Sequence, residues 1–480
     1  SAGPPPPQGG GRRPAPHYVR RQKIQSTKKI KKTHAILTVI CVVFVAEAAA
    51  PVASIGNSQY FWWIFMIAAF LLPYGLIASE LGTTYEGDGG LYDWISKAFP
   101  GTKWGARAAW WYWINFPLWM ASLAVMCPDL ITTATGVQLN AAASLLIQLA
   151  FIWIVTFVAF SPVCDNILIL NICSVIKVLL AVVVGALGVY YVANNGFVND
   201  MSPSTFLPSF DANSLSYISV IVFNCLGFEV ICTMSDSMEN PKKQIPQSII
   251  VGGIVIAAIY LFGAFGIGAA IPTASISTDS GLIDAVMLIT GRSGGLFVSL
   301  VALLFMVTLF GNMISWSMGV NNTACYAAEN HDLPRFFARR SPKNNMPTGA
   351  ALANGIVASL VCVLGVIIQM VAPDSELFWT FFALNLVMLL LSYVPVFPAF
   401  LALRKKDPDT ERPFRVPGGP GLLKLLAYLP MVLIAIAVLF TAVPLSFDAA
   451  TLSATLPITV GSVVCIIAGE AIIAACRKKQ

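Results

Sequence analysis

This sequence is poor in charged side chains. Only 11% of its 480 residues are charged and 57% are hydrophobic, whereas about a quarter of the residues in soluble domains carry charge. A net charge of +6 would suit a nucleic-acid partner, but the basic residues recur at the ends of hydrophobic segments, as membrane topology requires. The composition therefore argues against a soluble protein and a nucleic-acid partner, and it predicts a chain embedded in a lipid bilayer.

Several chemical signatures are missing as well. The pattern GxxxxGK[ST] does not occur, which argues against an ATP-driven pump. The three histidines, His17, His34 and His331, show no metal-ligand spacing to cysteines or carboxylates. Most of the ten cysteines lie in apolar runs without CxxC spacing, so free buried thiols are expected. No nucleophile–base arrangement is present either, and neither an enzyme nor a cofactor is expected.

Long apolar runs are what the sequence has in abundance. Each run is long enough to cross about 30 Å of hydrocarbon as a helix. The fold class is therefore predicted to be an all-α polytopic membrane protein with about 12 transmembrane helices. These spans are expected near 36–56, 60–84, 105–127, 142–160, 166–192, 215–234, 247–271, 294–326, 349–371, 376–402, 421–443 and 454–476.

Basic residues alternate between the two sides of these spans. With the N-terminus inside, the outer segments hold only Arg292, and the inner segments hold Lys97, Lys103, Lys242, Lys243, Arg335, Arg339, Arg340, Lys343, Arg404, Lys405, Lys406, Arg412, Arg415, Arg477, Lys478 and Lys479. This asymmetry predicts an even number of spans with both termini cytoplasmic, in the plasma (inner) membrane. Residues 1–32, Pro/Gly-rich and then basic, are expected to form a disordered cytoplasmic N-terminus.

The first span contains a carboxylate and a proline. Residues 41–56 read CVVFVAEAAAPVASIG, with Glu47 in an apolar run and Pro51 four residues later. An ionisable residue inside a membrane segment indicates a functional site. Proline together with small residues such as Ala53, Ser54 and Gly56 predicts a helix broken near Pro51, with its freed backbone facing protein or a cavity.

A second break is predicted in the sixth span. Asn224 and Gly227 precede another intramembrane carboxylate, Glu229, in the middle of 215–234. Breaks at corresponding places in two halves are typical of transporters built from inverted repeats, with the substrate bound between them. The sequence therefore predicts a 5+5 inverted repeat with broken helices 1 and 6. The expected units are a first five-helix repeat, a second one, and a C-terminal part with a cytoplasmic loop, helices 11 and 12 and a short tail, at 33–192, 193–402 and 403–480.

Several longer motifs resemble those of one family. They are ASELGTTYEGDGGLYDWISKAFP at 78–100, LGFE at 226–229, MENPKKQIPQSI at 238–249, AAENHDLPRFFARRSPKNNMPTGA at 327–350, and RKKDPDTERPFRVPGGP at 404–420. Their order and spacing resemble the amino acid–polyamine–organocation permeases. The resemblance implies the leucine-transporter fold.

The same resemblance implies roles for several side chains. Phe223 lies where the family has an aromatic gate over the substrate, and Trp316 where an arginine–agmatine exchanger has a gating tryptophan. Asn115 and Trp119 lie near the substrate-facing stretch of span three. Glu47 resembles a first-span glutamate of plant-type polyamine uptake permeases. For Phe223 and Trp316 the alternative is simple core or bilayer packing.

The segment from Pro51 to Gly56 stands where the family usually has Gly-Ser-Gly or Gly-Ala-Gly, whose amides hold the substrate carboxylate. Because this sequence departs from that pattern, the carboxylate contacts are not fixed by the resemblance. The residues expected to bind substrate are Glu47, Pro51, Ala53, Ser54, Gly56, Asn115, Trp119, Phe223, Asn224, Gly227, Glu229 and Trp316.

Lys177 lies about eleven residues into span five, roughly 16 Å deep at a rise of 1.5 Å per residue. In the family, a lysine at this place occupies the position of the sodium ion in sodium-coupled relatives. The hypothesis is that transport needs no sodium and either couples to protons through Lys177, together with Glu47, or runs as exchange. The alternative is a permanently charged strut between helices.

These observations predict a secondary active transporter that moves amino acids, cationic or neutral, by alternating access. The alternatives within the class are a polyamine or organic amine carrier and an amino acid–amine antiporter. A non-transporting membrane sensor or a channel is the remote alternative. The expected partners are a small-molecule substrate and the bilayer, with the protein a monomer or homodimer.

Overall fold

The structure, a computed structural model, describes residues 29–85, 87, 89–278, 280–291, 295–371 and 376–478. In these ranges the regular structure is helical, apart from one isolated parallel bridge between Ile30 and Met238. Among the described residues, 11 helices are long and apolar enough to cross a membrane, and the shorter helical stretch Tyr217–Cys232 forms the interrupted sixth span. The prediction of an all-α protein with about 12 spans is confirmed. Arg292, the basic residue expected on the outer side, lies outside the described residues.

The first five spans are formed by the helices of the N-terminal half. Span one consists of α1 and α2, span two of α3 and α4 joined by a π-helical turn, and α5 is a short helix before span three. The bounds are α1 (Lys32–Val43), α2 (Ala49–Ala53), α3 (Ser58–Met66), α4 (Leu72–Thr84), α5 (Gly90–Ala98), α6 (Trp104–Thr135), α7 (Ala141–Val158) and α8 (Val163–Asn195).

The following spans repeat this arrangement and add two more. Span six consists of α9 and α10, span ten of α15 and α16, and α12 is a short helix between spans seven and eight. The bounds are α9 (Ala212–Phe223), α10 (Phe228–Cys232), α11 (Pro241–Ala270), α12 (Gly281–Thr290), α13 (Leu296–Glu329), α14 (Thr348–Val371), α15 (Leu377–Tyr393), α16 (Val396–Lys406), α17 (Pro420–Ala442) and α18 (Ala449–Arg477).

Spans one and six are interrupted, as the sequence predicts. In span one, α1 ends at Val43 and the chain is extended at Phe44 and Val45. In span six, α9 ends at Phe223 and α10 begins after Gly227, whose φ of 110° lies in the left-handed region that favours glycine.

The position of the first break differs from the prediction. The helix is interrupted before Glu47, which lies in the 3₁₀ turn Ala46–Ala48, and not at Pro51. Pro51 is the third residue of α2. The first N–H groups of a helix have no partner within it, so the missing donor of Pro51 costs little there. Proline is tolerated after the break and does not cause it.

Burial separates the helices into an inner set and an outer set. In the most apolar 18-residue stretch of span one, 89% of the residues are buried. In the corresponding stretches of α7, α14, α17 and α18, only 22–33% are buried. Inside, α6 packs along α13 and α15, and α1 packs against α8, α11 and α13. The apolar side chains left exposed on the outer helices are of the kind that face hydrocarbon.

The N-terminal segment is tied to the chain that follows span six. The Ile30 N–H donates to the Ser237 carbonyl at 2.8 Å, and the Glu239 N–H donates to the Ile30 carbonyl at 3.3 Å. Ile30 is 2% exposed. Residues 1–28 of the segment predicted to be disordered lie outside the described residues, but ordered structure begins before the predicted boundary at residue 32.

Glu80, near the end of α4, is the centre of a buried charge cluster. Its carboxylate accepts hydrogen bonds from Arg404 (Nε at 2.8 Å) and from the Val416 N–H at 2.7 Å. Arg412 lies 3.2 Å from the same carboxylate, whose side chain is 2% exposed. These contacts connect span two to the end of span ten and to the segment between spans ten and eleven.

We expect Glu80→Gln to lower the free energy of unfolding by about 3–5 kcal/mol, because it leaves two largely buried guanidinium groups without a counter-charge. The matched control is Glu470→Gln, which removes the ion pair between Glu470 and Arg107. The side chains of this pair are 30–35% exposed. This substitution should cost less than about 1 kcal/mol. The measurement is thermal unfolding in detergent, followed by tryptophan fluorescence. Equal losses in the two variants would contradict the assignment.

Candidate substrate-binding site

The break in span one leaves backbone groups of α1 without helical partners, and aromatic side chains bind two of its carbonyls. Trp316 on α13 donates its indole N–H to the Val42 carbonyl at 2.7 Å. The Tyr260 hydroxyl on α11 donates to the Val43 carbonyl at 3.1 Å and accepts from the Val45 N–H at 2.8 Å. Backbone freed at membrane depth must be satisfied in this way. The break is therefore a built feature of the fold.

Lys177 satisfies the other two carbonyls of the break. Its ammonium donates to the carbonyls of Cys41 and Phe44, the latter at 2.7 Å, and to the side-chain oxygen of Asn312. Lys177 is fully buried. A cation in this position interacts with the negative end of α1. These contacts connect span five to spans one and eight, which is the arrangement that the strut interpretation of Lys177 expects.

Glu47 lies on the other side of Asn312. The Asn312 amide nitrogen donates to both carboxylate oxygens of Glu47, at 2.8 and 2.9 Å. The Trp119 indole lies close to the Glu47 carboxylate, and its N–H has no other hydrogen-bond partner within the described part of the chain. Glu47 is 1% exposed. One edge of the carboxylate is thus held by an amide.

Three aromatic residues predicted from the sequence form one cluster next to this carboxylate. The Trp119 ring packs edge-to-face on Phe223 and on Trp316, with centroids 5.1 and 5.4 Å apart. Phe223 packs in the same manner on Phe382, at 5.4 Å. Trp119, Phe223 and Trp316 come from spans three, six and eight, and each is at most 1% exposed. The cluster suits a cation carried on an apolar chain.

The break in span six brings unpaired amide groups to the interior. Both amide atoms of Asn224 are buried and make no hydrogen bond among the described residues, and the same holds for the side-chain oxygen of Asn115. Buried polar groups are usually paired, so each exception requires an explanation. Binding of a polar ligand provides one, because the ligand would satisfy these groups.

Glu229 is surrounded by tyrosines, which sequence reasoning missed. Its carboxylate accepts hydrogen bonds from the hydroxyls of Tyr74 and Tyr112, the latter at 2.5 Å. The ring of Tyr393 packs on both tyrosines, with centroids 5.5 and 6.2 Å away. Neutral hydroxyls therefore satisfy Glu229, and no cationic side chain pairs with it in the described part.

Four predicted binding residues lie apart from this centre. Pro51 and Ala53 are in α2, and the Ser54 hydroxyl donates to the Pro51 carbonyl at 2.7 Å. Gly56 forms the turn before α3 with φ of 73°, next to Thr273. These residues follow Glu47 along the chain toward the turn before α3, and none of them belongs to the aromatic cluster.

Asn312 is the most important residue that the sequence analysis did not select. It joins Lys177 to Glu47 and stands one helical turn before Trp316, so both side chains project from the same face of α13. The available signal was an amide within the apolar stretch LFGNMISW. A rule that selects intramembrane amides as well as charges would have found it.

The comparisons agree with this architecture. The family model described as "Amino acid permease" matches residues 19–468. A protein named as a probable agmatine/putrescine antiporter of Lactococcus lactis is 61% identical over 446 residues, which cover 93% of this chain and 95% of that protein. The chain therefore belongs to the amino acid permease family, within the amino acid–polyamine–organocation superfamily.

More distant relatives are also transporters. A glutamate/gamma-aminobutyrate antiporter of Lactococcus lactis is 23% identical over 73% of this chain and 71% of its own length. A polyamine transporter of Arabidopsis thaliana is 24% identical over 82% of this chain and 75% of its own length. The protein is thus a multi-pass membrane transporter and not an enzyme. The prediction that named amino acids first is less well supported than its amine alternative.

We expect Gly227→Ala to destabilise the protein by at least about 1–2 kcal/mol, because the left-handed conformation is unfavourable for alanine. In addition, a Cβ at this position would lie 2.9 Å from Trp316 Cζ2 and from Val42 Cγ1. The control is Gly253→Ala, where the nearest atom is 3.7 Å away, and a helical glycine replaced by alanine should gain stability. Thermal unfolding of the two variants compares them. Equal midpoints would contradict the proposed role of Gly227.

Proposed function

We propose that this protein exchanges small organic cations of the agmatine and putrescine kind across the membrane by alternating access. The observation that carries the proposal is the buried carboxylate of Glu47 at the break of span one, beside three packed aromatic rings. The 61% identical relative supports the same substrate class. We place amines before amino acids, which reverses the order expected from the sequence.

Electrostatics at the break favours amines over amino acids. Glu47 lies in the first turn of the second half-helix, where exposed N–H groups and the helix dipole would otherwise attract a substrate carboxylate. A fixed carboxylate at that place repels a second one. A diamine, or an alkyl guanidine that carries an amino group, has no carboxylate, and it gains from the charge of Glu47.

The aromatic cluster suits the remainder of such a substrate. The alkyl chain can lie against the rings of Trp119, Phe223 and Trp316. A cationic group over a ring face would gain about 0.5–2 kcal/mol, depending on how far it is desolvated. The unpaired side-chain oxygens of Asn115 and Asn224 offer acceptors for the N–H groups of an amine or a guanidinium group.

Exchange is the transport mode that we propose. An unoccupied site leaves the buried Glu47 without a substrate cation, which opposes the return of an empty carrier through the membrane. Spans one, two, six and seven would move against spans three to five and eight to ten, as in other inverted-repeat transporters. The units 33–192 and 193–402 would be the two repeats.

The orientation follows from the distribution of charge. The end of the bundle that carries Lys97, Lys242, Arg404 and Arg477 is proposed to face the cytoplasm, together with both termini, in the plasma (inner) membrane. A monomer or a homodimer is proposed as the functional form.

The test uses liposomes containing the purified protein and loaded with putrescine, into which labelled agmatine is exchanged. We expect Glu47→Gln to raise KM at least tenfold, since loss of a charged partner costs about 1.5–3 kcal/mol. The control is Glu470→Gln, which removes a carboxylate of α18 that pairs with Arg107 and not with the site. It should leave KM unchanged. Exchange by the Glu47 variant at the wild-type KM would overturn the proposal. Flux that is equally fast into liposomes without internal putrescine would instead indicate a channel.

Sodium dependence provides a separate prediction. Because the ammonium of Lys177 binds the backbone carbonyls at the break, we expect the exchange rate to be the same in sodium buffer and in sodium-free potassium buffer. The two rates are measured in the same liposome preparation with equal ionic strength. A requirement for sodium would contradict the role assigned to Lys177.

A further inference from the structure

Two opposite charges are separated by one neutral amide at the break of span one. The oxygen of Asn312 accepts from the Lys177 ammonium, and its nitrogen donates to both oxygens of Glu47. Lys177 and Glu47 form no direct ion pair among those found in the described part of the chain. All three side chains are at most 1% exposed.

The two charges fix the orientation of this amide. An amide presents an acceptor on one side and two donors on the other. Turning it over would place N–H groups against an ammonium and an oxygen against a carboxylate, and both contacts would be repulsive in a site of low dielectric. Asn312 is therefore aligned by Lys177, and it holds the carboxylate of Glu47 in turn.

We propose that Asn312 is a positioning residue: it acts as a spacer that keeps Glu47 from pairing directly with Lys177 and so leaves the carboxylate available to a cationic substrate. This inference rests on the proposed function, in which Glu47 binds the substrate cation. Without the spacer, the buried carboxylate and ammonium would attract each other over a short distance. A direct pair would withdraw Glu47 from the substrate.

The placement of Asn312 on α13 supports this role. Trp316, one turn further on the same face, binds the Val42 carbonyl and forms one wall of the aromatic cluster. The same helix thus holds one edge of the Glu47 carboxylate and carries one ring of the aromatic cluster.

The first experiment measures KM for labelled agmatine in putrescine-loaded liposomes. We expect Asn312→Ala to raise KM about tenfold or more, with a smaller change in the maximal exchange rate, because Lys177 would draw the Glu47 carboxylate away and the substrate cation would lose its charged partner. In a Lys177→Met background, Glu47 has no ammonium to approach. There, Asn312→Ala should change KM by no more than about twofold, as expected of coupled residues.

The matched control is Asn321→Ala in both backgrounds. Asn321 is another buried amide of α13, and it accepts a hydrogen bond from the neutral amide of Asn354 at 2.7 Å. Its replacement should leave KM unchanged. An unchanged KM in Asn312→Ala, or the same factor in both backgrounds, would overturn the spacer role.

The second experiment needs no substrate and separates the failure of this inference from that of the proposed function. Thermal unfolding of the substrate-free protein should show a larger loss for Asn312→Ala with Lys177→Met than for the two single changes added together. The double variant leaves Glu47 buried without any partner. Equal additive losses would overturn the inference. If wild-type liposomes exchange neither putrescine nor agmatine, the proposed function fails. The unfolding measurement would still test whether Asn312 separates Glu47 from Lys177.

A double variant that does not fold remains informative. In that case Glu47→Gln is added, which removes the unpartnered buried charge. Recovery of monodisperse protein on size-exclusion chromatography supports the spacer role. No recovery would overturn it, because the defect would then arise from packing and not from charge.

Discussion

Backbone groups released inside a membrane require partners from the protein, and the rest of this structure depends on that constraint. The end of α1 exposes carbonyls at Val42, Val43 and Phe44, and side chains from three different helices bind them. Each partner, Trp316, Tyr260 or Lys177, also connects span one to another helix. The break is thus the point at which spans five, seven and eight converge on span one.

This convergence explains why buried charges are tolerated there. The ammonium of Lys177 is surrounded by carbonyl oxygens and an amide oxygen, and the carboxylate of Glu47 is held by an amide nitrogen. Glu229, at the other break, is satisfied by hydroxyl groups of tyrosines instead. Buried ionised groups persist only when such hydrogen bonds replace water. The two carboxylates therefore stand in different environments: one amide separates Glu47 from a cation, whereas Glu229 is held by tyrosine hydroxyls.

The sequence was sufficient to predict the spans and the two interruptions, and the structure brings together three aromatic residues that it indicated. Apolar length and the placement of charge are local properties, and Gly227 directly signals a backbone that needs a positive φ. The hydrogen-bond partner of Glu47 could not be predicted from the sequence, because Asn312 lies 265 residues away and nothing local marks that contact. The first break was misplaced for a similar reason. Pro51 is a strong local signal, whereas the extended backbone at Phe44 is set by distant side chains.

The short bridge between Ile30 and Met238 has a mechanical consequence. It ties the chain entering α1 to the chain leaving α10 through two backbone hydrogen bonds. These bonds link α1 of span one to the end of α10 of span six, so a displacement of either helix would pull on the other. In the alternating access that we propose, α1 and α10 would therefore move together at that side of the bundle.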